Sequence, residues 1–103
     1  KLQTASQFGE FAVDEARHEI RKRDHVLALT PLEYNLLSFL LQNHGMVFAR
    51  EALLEKVWGY DYAGDTRTVD VHIRSLREKI EDEPSAPRRL LTVRGVGYRL
   101  DLD

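Results

Sequence analysis

The segment Asp65–Ile80, DTRTVDVHIRSLREKI, sets arginines at 67, 74 and 77 around a bare Val71. Arginine side chains bind phosphate oxygens and guanine edges, and an apolar group such as valine can touch a thymine methyl in a major groove. Thr68 and His72 can donate to phosphate oxygens. At 100° per residue, Val69, Ile73, Leu76 and Ile80 fall within about 60° of one another, which predicts a helix with these four inward. Arg67, Val71, Arg74, Ser75 and Glu78 then lie on the far side, Arg77 and Asp70 on one flank, and Thr68, His72 and Lys79 on the other. A plain solvated face would look much the same, with Asp70 pairing with Arg74 four residues on. A lone exposed valine is also ordinary.

A second basic element favours the groove. Residues 90–100, LLTVRGVGYRL, read as a hairpin: Leu91 and Val93 alternate with Thr92 and Arg94, and Gly95-Val96-Gly97 supplies the turn. An arginine at a hairpin tip can enter a minor groove, where narrow A·T-rich segments concentrate negative potential. Alone, this reads better as an edge hairpin whose charges discourage strand pairing. The joint order of helix, helix, basic helix and basic hairpin makes duplex DNA the better explanation.

Charge is placed accordingly. The 103 residues carry a net charge of −2, which argues against a simple polybasic binder. Residues 1–65 hold seven basic and ten acidic side chains, 66–80 four and two, 81–87 none and three, and 88–99 four and none. Positive charge therefore gathers in the last third, split by a short acidic linker, and local fields steer partners even when the net charge does not.

The remaining segments read as the frame for these two elements. Phe8–Leu29 suggests short strands: Phe11 and Val13 alternate with Ala12 and Asp14, His18–Arg21 carries Ile20, and Val26–Leu29 follows. Neither intervening polar turn has the expected glycine. Thr30–Asn43 is a helix with Thr30 as cap, Pro31 at its first position, Glu33 completing a capping box and an apolar stripe through Leu36, Phe39 and Leu40. Gly45 is its expected stop. Arg50–Val57 is a shorter helix capped at Ala49, which has no side-chain oxygen, and Asp65 is the expected cap of the third helix. A chain of this size folds as one domain, burying roughly 60–65% of its unfolded surface.

Several classes drop out. There is no cysteine, hence no disulfide or thiolate metal site, which fits a reducing, cytoplasmic setting. No apolar run reaches the roughly 18 residues of a membrane span, and no signal peptide is expected before the domain. His18, His25, His44 and His72 show no metal-ligand spacing, no serine sits in a nucleophile elbow, and Gly95-Val96-Gly97 lacks the rest of a dinucleotide fingerprint. The chain is thus read as a non-enzyme without catalytic residues, metal or cofactor. Since it starts at Lys1, it is expected to be a piece of something longer, with residues 1–7 a linker remnant and 8–103 the folded domain.

LTPLEYNLLSFLLQNHGMVFAREALLEKVWG, RTVDVHIRSLREKIE and TVRGVGYRL, in this order and spacing, closely resemble the effector domain of OmpR/PhoB-type response regulators. The likeness runs from about Phe8 to Leu100. It implies an α+β fold: a winged helix-turn-helix with an N-terminal four-stranded antiparallel sheet, three helices and a C-terminal β-hairpin wing. It implies a bacterial transcription regulator of a two-component phosphorelay, whose absent N-terminal receiver domain is phosphorylated by a sensor histidine kinase. The third helix (66–80) would lie in the major groove and the wing (90–100) in the minor groove, with two copies side by side on tandem direct-repeat half-sites.

Carried over residue by residue, the resemblance makes Arg67, Thr68, His72 and Arg74 backbone or groove-edge contacts. Val71 becomes a thymine-methyl contact, Arg77 a base reader, Thr92, Arg94 and Tyr98 wing contacts, and Trp58 a further backbone contact. The long connector Tyr60, Asp61, Tyr62, Ala63 and Gly64 becomes a candidate contact for RNA polymerase, although its tyrosines could simply pack the loop down. Ser75 stands where some members carry a basic base reader. The alternative is a winged-helix interaction module that offers the same basic face to an acidic protein partner.

Overall fold

The computed structural model describes residues 5–102. Four short antiparallel strands come first, in the order β1 (Ala5–Phe8), β2 (Phe11–Asp14), β3 (Glu19–Lys22) and β4 (His25–Val26). Pairing begins with Ala5 opposite Asp14, so residues 5–7 belong to the sheet and not to a linker. The anticipated strand Val26–Leu29 shrinks to a two-residue β4, and 27–30 run without regular structure into the next helix. The turns manage without glycine because His18 (φ 55°) and Arg23 (φ 56°) take the left-handed conformation themselves. This costs roughly 1–2 kcal/mol for a side chain; His18 lays its ring against Tyr34 with centroids 3.8 Å apart.

Helix α1 (Pro31–Gln42) starts on the expected reciprocal box, with Thr30 Oγ1 accepting from the Glu33 N–H and Glu33 Oε1 from the Thr30 N–H. Its end is followed by Gly45 at φ 84°, whose N–H donates to the Leu100 carbonyl. A strand absent from the sequence reading follows, β5 (Val47–Ala49). It leads directly into α2 (Arg50–Leu53), which continues as a π-helical turn over Leu54–Trp58. As anticipated, Ala49 makes no side-chain cap. Helix α3 (Arg67–Ile80) buries Val69, Ile73, Leu76 and Ile80. The cap position is Thr66, one residue later than expected, while the Asp65 carboxylate still takes the Arg67 N–H.

Strands β6 (Leu90–Val93) and β7 (Gly97–Leu100) form the wing, and β7 lies between β6 and β5. The hairpin turn lies one residue earlier than expected, over 94–96, closed by the Val96 N–H on the Val93 carbonyl. Gly97 is not in the turn but in the strand, opposite Ala49. A Cβ there would come within 1.9 Å of the Phe48 carbonyl oxygen, so only glycine lets β5 and β7 pair. One core of Phe11, Val13 and Ile20 from the sheet, the α1 leucines, Leu53, the α3 stripe, Leu90 and Leu100 joins all layers.

The acidic linker after α3 is partly structural. Glu81 is buried and its carboxylate accepts the N–H groups of Arg88, Arg89 and Leu90 at 2.7–2.9 Å. Lys22 donates to the Ile80 carbonyl at the C-terminal end of α3, where a cation suits the helix dipole. The start of the wing is thereby clamped to the end of the third helix.

Candidate nucleic-acid interface

The outer surface of α3 is a ridge between two buttresses. Along the ridge Arg67, Val71 and Arg74 are exposed, Val71 to 63%. Arg67 is held by the neighbouring Asp65, at 2.9 Å between exposed side chains. Such a surface pair is weak and is readily exchanged for a phosphate. Arg74 has no hydrogen bond or ion pair among the described residues. The anticipated Asp70–Arg74 pair does not form, because Asp70 is claimed by Arg50.

One flank carries the wing. Arg50, the first residue of α2, holds the Asp70 carboxylate through Nε (3.1 Å) and a terminal nitrogen (2.7 Å), and the Tyr98 hydroxyl donates to Asp70 Oδ1 at 2.7 Å. Burial, then the bond to Asp70, pushes the Tyr98 phenol up to about 12. One turn pair further along, the Arg77 guanidinium donates to the Leu90 carbonyl (2.9 Å) and to Thr92 Oγ1 (2.8 Å), and lies 5.7 Å from the Tyr98 ring centre. Arg77, expected among the base edges, thus faces the wing, and Thr92 is engaged with it. Arg94 and Val96 are exposed at the turn beyond, and Arg94 has no partner among the described residues.

The opposite flank carries the connector. His72 Nδ1 lies 2.8 Å from the Thr68 carbonyl. A carbonyl only accepts, so Nδ1 holds the proton and Nε2 is the ring's remaining polar atom. The His72 ring meets the Trp58 ring edge-on at 5.0 Å, and Trp58 lies 6.4 Å from Tyr62. Trp58, Thr68 and His72 are half-buried. In the connector Tyr62 covers Gly64, where a Cβ would collide with its ring, while Tyr60 projects, 77% exposed. Tyr60, Asp61, Tyr62, Ala63 and Gly64 are all exposed.

Ser75 was expected on the outer face but is half-buried, its hydroxyl bonded to Glu33 of α1. Lys79 reaches the same carboxylate at 2.5 Å. The reason is the crossing of α1: the buried Glu33 side chain needs partners and draws both residues toward it. Burial pushes the Glu33 carboxyl up, but Lys79, Ser75 and the Thr30 N–H together hold it below the usual glutamate value. The Ser75 hydroxyl is therefore turned toward α1. Among the described residues no acidic or histidine cluster could hold a metal ion, and no helix is long and apolar enough to cross a membrane.

Comparison with known proteins gives this helix-and-hairpin arrangement a family. The family described as "transcriptional regulatory protein, C terminal" matches residues 24–100. The chain belongs to this family, the OmpR/PhoB-type winged-helix effector domains. It is 44% identical over 93 residues to the sensory transduction protein RegX3 of Mycobacterium leprae, covering 90% of this chain and 47% of that protein. It therefore spans less than half of that relative's length. The DNA-binding domain of Klebsiella pneumoniae RstA, solved in complex with the RstA box, superposes with a TM-score of 0.86 at 31% identity, covering 98% of this chain and all of that one. The response regulator DrrB of Thermotoga maritima, an OmpR/PhoB homologue, gives 0.84 at 33% identity, over 96% of this chain and 45% of its own. The winged helix, its hairpin and its four-stranded sheet are thus shared features of this effector domain.

Proposed function

We propose that this effector domain reads duplex DNA by laying the α3 ridge in a major groove while the wing enters the neighbouring minor groove. The observation that carries this reading is that two exposed arginines without partners among the described residues, Arg74 on the ridge and Arg94 on the wing turn, stand on elements joined by Arg77. A helix of this width fits a major groove. Arg67 and Arg74 contact phosphates or guanine edges, Val71 meets a thymine methyl, and Thr68, His72 and Trp58 support the backbone on the connector side. On the wing, Arg94 supplies the minor-groove contact. Thr92 and Tyr98 flank it, and for either to touch DNA it must share or exchange its internal bond. Arg77 contributes to base choice either by exchanging its wing bonds for a base edge or by holding the wing in register.

In the whole protein this domain would be the output of a two-component response regulator in the bacterial cytoplasm, governed by a receiver domain and a sensor histidine kinase. Two copies would occupy tandem half-sites, and the projecting Tyr60 loop would be offered to RNA polymerase. The reading uses no catalytic group or cofactor.

Selection of sites from a random duplex pool, followed by titration across salt, tests it. A preferred sequence and a slope of log K against log salt of about −0.9 per neutralised phosphate are expected. Equal affinity for duplex and for a charge-matched polyanion would favour the acidic-protein alternative.

A further inference from the structure

We propose that Asp70 is a positioning residue that sets the wing at the distance from α3 at which both grooves can be read at once. This rests on the DNA reading above and adds a division of labour within it. A carboxylate on a DNA-facing helix is at first sight misplaced, since it repels phosphate. Here its oxygens are taken up by three bonds, two from Arg50 and one from Tyr98. Asp70 and Arg77 are seven residues apart, two turns along the same side of α3. The first holds β7 through Tyr98, and the second holds β6 through Leu90 and Thr92.

The wing is rooted elsewhere, in the sheet with β5, and β5 runs straight into α2 and Arg50. Wing, β5 and the start of α2 therefore form one unit, and Asp70 is the residue of α3 that grips it from both sides. The cleft of about 410 Å³ between α2 and the wing, walled by Arg50, Asp70, Val93, Val96 and Tyr98, leaves open space beside the polar ties. Releasing Asp70 leaves the wing folded on β5 and still tied to α3 through Arg77 and, at its base, the Glu81 clamp, but without the tie that fixes β7 and its tilt against the helix. Arg94 at its far end then loses register with the groove while the α3 ridge keeps its own.

The test compares duplexes sharing one selected core but differing in the wing flank, A·T-rich against G·C-rich, for the wild type, Asp70→Asn, Tyr98→Phe and Arg94→Ala. The wild type is expected to prefer the A·T flank by roughly fivefold or more, the size of a modest base discrimination. Arg94→Ala should abolish that preference directly. Asp70→Asn and Tyr98→Phe should bring it close to unity, with Asp70→Asn still separating the core from a scrambled core. Should Asp70→Asn not fold, Arg50→Gln removes the same tie from the α2 side and takes its place. An unchanged flank preference in folded Asp70→Asn (or Arg50→Gln) and Tyr98→Phe, alongside its loss in Arg94→Ala, would overturn the positioning role while leaving DNA reading intact. If Arg94→Ala also kept the preference, the wing would not be in the minor groove, and both readings would fall.

Discussion

Two carboxylates hold the third helix, and they do different work. Glu33 grips its C-terminal half from α1 and is only 4% exposed; Asp70 grips outward from its N-terminal half and is half-exposed. Glu33 gathers Ser75, Lys79 and the Thr30 N–H, all groups of the scaffold. Asp70 gathers Arg50 and Tyr98, which belong to the elements flanking the reading surface. A polar tie buried against the core stabilises the fold, because leaving its partners unpaired is costly. A tie at the rim gains little from burial, and its main effect is geometric. Loss of Glu33 should therefore change stability, and loss of Asp70 should change what the domain reads.

The sharpest break in this comparison comes from Glu33→Ala. It strands Lys79, Ser75 and a helix-cap N–H, and should cost about 2–3 kcal/mol of unfolding free energy in urea titration, allowing for the partial exposure of Lys79. Base preference among folded molecules should stay as it was. The pH dependence follows from the same site. Because the folded protein holds the Glu33 carboxyl below its ordinary 4.5, its contribution is present above that value and is lost as pH falls through the depressed one. Unfolding midpoints followed below about pH 4.5 should drop less steeply in Glu33→Gln than in the wild type.

Arg77→Ala stands between the two cases, since it removes a tie to the wing and a charge from the candidate surface. A relaxation of base preference by about 1–3 kcal/mol is expected in site selection. Uniform weakening at all sites would assign Arg77 to structure alone. The smallest effect should come from Ser75→Ala, which deletes one hydrogen bond to Glu33 and should cost about 1 kcal/mol in thermal unfolding. If Ser75→Ala instead altered the selected sequence, the inward placement of position 75 would be wrong.

What the sequence made legible follows the range of the forces involved. The capping box at Thr30 and Glu33, the buried stripe of α3 and the hairpin at 90–100 are written in neighbouring residues, and all three are found. The ridge was legible for the same reason: Arg67, Val71 and Arg74 follow from where the stripe is not. Strand β5 was not, because three residues carry no periodicity and its existence depends on β7. Gly97 was read as a turn glycine because nothing nearby reveals the Phe48 carbonyl pressed against it. The Asp70–Arg74 pair was read from i, i+4 spacing, but a bidentate arginine from another helix wins over a single exposed neighbour.

The sequence by itself determined which apolar residues face inward along α1 and α3, where α1 begins, and that positive charge collects on the third helix and the hairpin, since all of this depends on spacings of a few residues. Tertiary structure decided which polar side chains become ties and which stay free. Arg50 meets Asp70 across 20 residues, and Lys79 meets Glu33 across 46. At such separations a hydrogen bond exists only because packing of the core has already brought its two ends together.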